Sequence, residues 1–247
     1  FIAAERALYA AGWQLDARAA SRLPQRMSSI RLVRDVTACV LHRELFHEFP
    51  LHEASAIQRL WEAAVALRVE DVEARMLGPA NEFLDLCLEG ARARIWPNVR
   101  WLADALKIAR GGELDWDEVV SEGRLVGASL RLHSALVYLR DSLSCAVPPG
   151  VISELEGVET NRRERLAHAL GAWRGGAVGL APESLSRYLR ATAHENGFRA
   201  LRRLPAYFRD EWGLRHRRQV PVVAAAKTVE RLVSTTAQVV RRPRSVP

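Results

Sequence analysis

Asp115-Trp116-Asp117 is a D-x-D pair, which in isolation suggests a pair of divalent ions and phosphoryl chemistry. Its surroundings point elsewhere. Asp115 is a good N-cap and Glu118 follows at capping-box spacing, so the pair reads as the start of a helix. Cys39, His42, His47 and His52 form a second cluster, at steps of three, five and five. Ligands on one helix need steps of three or four, and five-residue steps along a strand alternate faces. These histidines therefore read as surface or loop residues. Gly127-Ala128-Ser129 offers a glycine and a serine together, but inside what reads as one long helical pattern, which gives no phosphate-cradling turn. Gly175-Gly176 and Gly179 read as linker. The chain has no G-x-S-x-G, Walker A, G-x-G-x-x-G or H-E-x-x-H motif.

The remaining chemistry is cationic. Arg199, Arg202, Arg203, Arg209, Arg215, Arg217 and Arg218 lie within 20 residues, opposed there by Asp210 and Glu211. Tyr207, Phe208 and Trp212 are interleaved. Arginine with aromatics can build a surface that takes phosphates and stacks bases, and Arg202, Arg203, Arg215, Arg217 and Arg218 are the candidate contacts. The same composition also suits a helix whose aromatics pack inward while its arginines stay in water.

The elements that would position these residues fall into three regions. Over 1–78 the pattern is mixed. Residues 2–11 read as a short helix closed by Gly12, 13–18 as a strand, 19–29 as a loop and 30–41 as one or two strands. A helix begins near Leu60, and 65–70 with 72–77 make a hairpin turning near Asp71. Over 79–198 the period is helical. Leu84, Cys87, Leu88, Ala91 and Ile95 share one face, and Val99, Leu102, Ala103 and Leu106 form the next stripe up to Gly111-Gly112. A long helix runs to about Ser144, Pro148-Pro149-Gly150 breaks it, and another helix opens near Pro182. Residues 199–247 form a basic segment with an amphipathic helix from Val222 to Val240. The fold class expected is α+β, predominantly helical: a small mixed α/β N-terminal part followed by a helical domain.

Composition narrows the function. Of the 247 residues, 49% are hydrophobic and 26% charged, the make-up of a folded globular chain. Residues 199–247 carry 12 Lys and Arg against 3 Asp and Glu. The other residues carry 24 against 26, so the excess of cations belongs to that segment. Nearly every cation is arginine, with Lys107 and Lys227 the only lysines, which together with abundant alanine reads as a coding bias rather than a phosphate-binding feature. Three dispersed cysteines, Cys39, Cys87 and Cys145, exclude a disulfide framework and fit a reducing, cytoplasmic setting. No apolar run is long enough for a membrane span. The opening Phe-Ile-Ala-Ala-Glu-Arg has neither an initiator Met nor a signal-peptide pattern, and reads as a fragment or a processed chain.

Taken in order, several segments resemble a bacterial family of uncharacterised nucleotidyltransferases within the polymerase-β-like superfamily. Phe1 to Trp13 resembles the helix that follows that family's metal-binding strand, and Leu41-His42 its D/E-L-H strand. Leu77 to Pro79 with Leu84 to Leu88 resembles a further segment of that family. Val99-Arg100-Trp101-Leu102-Ala103-Asp104 resembles its R-W-L-x-D helix. Leu114-Asp115-Trp116-Asp117, Gly127, Leu139-Arg140-Asp141 and Pro148 resemble the run beyond. The likeness covers about residues 1–150.

For the intact family the resemblance implies Mg²⁺ and a nucleoside triphosphate, held by carboxylates and a Gly-Ser turn. In the family, that turn and the first two carboxylates lie before the helix that begins here at Phe1. The third carboxylate position is Val40. Asp35, five residues away, reads as lying on the opposite strand face, and Glu44 as past the strand end. Asp85 and Glu89 stand where the family has histidines. No catalytic, cofactor-binding or metal-ligating residue is therefore assigned. Two readings follow. One is the C-terminal portion of a nucleotidyltransferase-like protein, truncated or degenerate and inactive as given, with an incomplete sheet that a protein partner or self-association would complete. The other is a non-enzymatic interaction protein whose basic tail binds an acidic partner or nucleic acid.

Overall fold

A computed structural model describes residues 2–16, 29–42, 45–46, 54–90, 99–172, 180–193 and 195–226. The chain is α+β and mainly helical, with small antiparallel sheets in its N-terminal part. It forms two compact units. One draws on Phe1–His47, Arg174–Tyr188 and His194–Pro247, the other on Glu48–Trp173 and Leu189–Ala193.

In the first unit, α1 (Ile2–Ala10) ends at Gly12, whose φ of 84° is open to glycine at no steric cost. The chain then enters β1 (Gln14–Leu15), β2 (Ser29–Arg34) and β3 (Thr37–His42), an antiparallel sheet in that order. The stretch 30–41 is thus a hairpin, turning at Asp35-Val36. Strand alternation sends Ile30 and Leu32 inward, both buried, with Cys39 and Leu41 opposite them in register. Of the loop read over 19–29, residues 19–28 lie outside the described residues and Ser29 is instead the first residue of β2. Later in the chain, α9 (Leu180–Ala191) contributes residues up to Tyr188, and α10 (Gly197–Glu211) follows. Asn196 caps α10 by accepting from the Phe198 amide at 3.0 Å. Residues 217–219 make a 3₁₀ turn and 220–226 are helical, the start of the segment read as an amphipathic helix. The rest of that segment lies outside the described residues.

The second unit begins with α2 (Ala54–Glu62), which starts six residues before the helix read from Leu60. A hairpin of β4 (Val65–Val69) and β5 (Val72–Met76) follows, pairing Val65 with Met76 and Val69 with Val72. Then come α3 (Pro79–Gly90), α4 (Arg100–Arg110), α5 (Trp116–Leu125), α6 (Ser129–Leu143), α7 (Pro149–Glu156) and α8 (Arg162–Ala172). Helix α8 has no counterpart in the sequence reading: its stretch is strongly charged and its apolar stripe short. The reading of a single helix through Gly127 is also corrected. Gly127 takes φ 67°, closes α5 and lets α6 fold back. The return is tight, since a Cβ on Gly123 would stand 2.7 Å from the Leu132 side chain.

Helix α3 is the centre of this unit. Phe83, Leu84 and Cys87 are fully buried and Leu88 nearly so, and α4, α5 and α6 all pack against it. The Phe83 ring meets Trp116 edge-on with centroids 5.4 Å apart. At the C-terminal end, Trp101 of α4 lies where a Gly90 side chain would stand: a Cβ there would be 2.0 Å from the indole. Gly90→Ala is expected to lower stability by about 1–3 kcal/mol, because the indole must leave its place for the methyl group. Urea unfolding should show the midpoint falling with an unchanged slope. A midpoint equal to that of the parent chain would contradict the packing described.

Candidate functional site

The strand that resembles the family's metal-holding strand is β3. Its cross-strand neighbours in β2 are fixed by register, Val40 facing Arg31 and His42 facing Ser29. Asp16, one residue beyond β1, extends the same row, its amide donating to the Arg31 carbonyl at 3.0 Å. Asp16, Arg31 and Val40 therefore run across one face of the sheet. The Asp16 carboxylate is 3.2 Å from Arg31 Nε and is offset by that guanidinium. Val40 is 45% exposed and supplies no oxygen. Asp35 is not on a strand face, as its spacing suggested, but in the turn, at φ 54°. Its short side chain tolerates the left-handed region, which is why the chain reverses there. Glu44 lies outside the described residues.

A divalent ion needs several oxygen donors converging with uncompensated negative charge. The row Asp16–Arg31–Val40 has one carboxylate, already matched by a cation, and does not fit such an ion. Among the described residues, no group of three or more His, Cys, Asp and Glu could hold a metal. His42 and Cys39 lie in β3, while His47 and His52 lie outside the described residues.

The other candidates each have a structural task. Asp115 caps α5, one carboxylate oxygen accepting from the amides of Asp117 at 2.9 Å and Glu118 at 3.0 Å. The reciprocal half of a capping box gives way to packing: Glu118 accepts from the buried Asn81 of α3 at 3.3 Å. Gly127-Ala128-Ser129 does open a helix, against the sequence reading, so its backbone N–H groups could have received a phosphate. Glu164 of α8 takes that place. It accepts from the Leu130 amide at 3.2 Å, and burial raises its pKa while the Leu130 and Ser129 amides lower it. Beside it lies His168, 3.5 Å from the Ser134 hydroxyl, its pKa lowered by burial and then by Arg131, Arg190 and His133. That hydroxyl donates to the Leu130 carbonyl at 2.9 Å. Sequence reasoning missed this polar cluster, because its members are scattered over three helices. Cys87 is no nucleophile: burial, with Cys145 alongside, pushes its thiol far up. Burial also raises Cys145, against the nearby Arg110.

The arginines of 199–218 divide by helix face. Tyr207 meets Tyr188 with ring centroids 4.9 Å apart, Phe208 meets Trp212 at 4.9 Å, and Tyr207 and Phe208 contact edge-on at 5.5 Å. The Tyr188 hydroxyl donates to the Ala200 carbonyl, and Arg187 pairs with Glu211 at 2.9 Å. These rings pack against one another on one side of α10, edge-on or tilted. On the open side, Arg199, Arg202 and Arg203 line a groove of about 480 Å³ with Glu195 and Asn196. Arg203 pairs with Glu195, and the Arg202 guanidinium lies 5.8 Å from the centre of the Phe198 ring. Arg215, Arg217 and Arg218 are all exposed. No helix among the described residues is long and apolar enough to cross a membrane.

No curated protein and no solved structure matches this chain. A family described as uncharacterised nucleotidyltransferase matches residues 1–144, from α1 through the end of α6. That span takes in the β2–β3 hairpin, the β4–β5 hairpin and the helices packed around α3, in the order in which the sequence motifs ran, and the chain belongs to this uncharacterised nucleotidyltransferase family.

Proposed function

We propose that this chain is the portion of a nucleotidyltransferase-family protein that follows the strand bearing the first two metal-holding carboxylates, and that it transfers no nucleotide by itself. The observation that carries the reading is the row Asp16–Arg31–Val40. Where the family pattern places its third carboxylate, this chain has an apolar side chain, and the neighbouring carboxylate is matched by an arginine. Nucleotidyl transfer needs metal ions to neutralise the triphosphate and hold the attacking and leaving oxygens in line. Val40 contributes nothing to that. On this reading the α/β part and the helical part are scaffold, divided near residues 78 and 198, for a site whose Gly-Ser turn and paired carboxylates lie in other residues. The purified chain, incubated with Mg²⁺ or Mn²⁺ and each labelled nucleoside triphosphate, should yield no labelled product. Incorporation that depends on this chain would overturn the reading.

The groove on α10 favours a second reading, a surface for an acidic partner or nucleic acid. Three of the arginines there line one concavity, and three more are exposed within the next sixteen residues. Binding through phosphates would weaken steeply with salt, because each contact releases counterions. Replacing Arg215, Arg217 and Arg218 together with alanine should flatten the log–log salt slope by about three times 0.7–0.9. Titration with labelled single- and double-stranded nucleic acid measures this. No binding at low salt would leave these arginines as a solvated helix face.

A further inference from the structure

The β4–β5 hairpin of the helical unit is a two-stranded sheet among the described residues, with an open edge along β5. Its register puts Val65 opposite Met76, Leu67 opposite Ala74 and Val69 opposite Val72, which makes one face wholly apolar. The other face carries Ala66 opposite Arg75 and Arg68 opposite Glu73. The apolar face is not covered: Val72 is 66% exposed, and Val65, Leu67, Val69 and Met76 are exposed as well. An isolated two-stranded hairpin is marginally stable in water, and an open strand edge presents unpaired N–H and C=O groups to another chain.

The sequence of β5, Val-Glu-Ala-Arg-Met, states which chain would fit. Read antiparallel to itself about Ala74, Glu73 comes opposite Arg75 of a second copy, Arg75 opposite its Glu73, and Val72 opposite its Met76. Both ion pairs form at once on the polar face, and both apolar pairs form on the apolar face. The backbone agrees with this register. The turn at Glu70-Asp71 has two residues, so the flanking pair Val69–Val72 is hydrogen-bonded. On β5 the N–H and C=O groups of Val72, Ala74 and Met76 therefore point to β4, and those of Glu73 and Arg75 point to the open edge. In the self-paired register, Glu73 and Arg75 are the residues that must exchange hydrogen bonds across the dyad. Arg75 already donates one hydrogen bond to the Trp61 carbonyl at 2.9 Å, which uses one of the five guanidinium N–H groups.

From this we infer that β5 is a homodimerisation edge: two copies pair antiparallel about Ala74 into a four-stranded sheet, with reciprocal Glu73–Arg75 ion pairs. A two-fold contact of this kind closes on itself and stops at the dimer. The inference concerns the hairpin alone and does not depend on any nucleotide chemistry.

Sedimentation of the full chain over a range of concentrations tests it. The parent chain should show a monomer–dimer equilibrium. Glu73→Arg and Arg75→Glu should each weaken the dimer by roughly tenfold or more, because each sets like charges opposite one another twice. The two variants mixed in equal amounts should form a heterodimer, and the chain carrying both substitutions should dimerise again, because every charge then meets its opposite. A parent chain that stays monomeric throughout overturns the inference, whether or not the variants fold. So does a dimer that either single substitution leaves intact, or a charge-exchanged combination that fails to associate.

Discussion

The burial of α3 is the constraint on which the helical unit depends. Phe83, Leu84, Cys87 and Leu88 are shut away from water on a helix of twelve residues, which requires neighbours on several sides. Burying four such side chains is worth several kcal/mol in apolar area alone, and the gain is realised only if α4, α5 and α6 approach closely. Two glycines permit that approach. Gly90 leaves room for the Trp101 indole, and Gly123 leaves room for Leu132. Polar contacts then fix the register of the packed helices. Asn81 reaches Glu118, and the buried Arg131 of α6 donates to the Leu88 carbonyl at 3.4 Å.

A second regularity bears on function. Several of the places where the described residues could receive an anion contain the chain's own carboxyl or amide groups. Asp115 takes the first amides of α5, Glu164 those of α6, and Asn196 the Phe198 amide of α10, with Glu195 paired to Arg203 beside it. On the sheet, Arg31 is matched by Asp16. Helix N-termini and arginines attract phosphates, and at these places that attraction goes to holding elements together. At Asp115, Glu164 and Arg31 an incoming phosphate would have to displace a carboxylate already in place.

Much of the fold was legible in the sequence because its signals are local. The stripe Leu84–Cys87–Leu88, the cap at Asp115, the glycine at Gly12 and the alternation around the two hairpins each depend on a few adjacent residues. The failures have physical reasons too. The helix period continues through Gly127, and only the return of α6 onto α5 shows that this glycine is left-handed. Helix α8 has little apolar stripe of its own, and its role comes from Glu164 reaching the amides of another helix. Asp35 fits a strand by position, and the turn claims it through a backbone conformation that spacing does not encode. Of the candidate site, the placement of Val40 in a strand was legible. The pairing of Asp16 with Arg31 was not, because it depends on how β1 registers against β2.

On the proposed reading the β3 face holds no metal–nucleotide complex. Titrating the chain with Mn²⁺, with and without a nucleoside triphosphate, and following free Mn²⁺ by electron paramagnetic resonance tests this without requiring turnover. Free Mn²⁺ should follow the nucleotide-only control at every addition. Saturable one-to-one uptake by the protein that Asp16→Asn abolishes would contradict it.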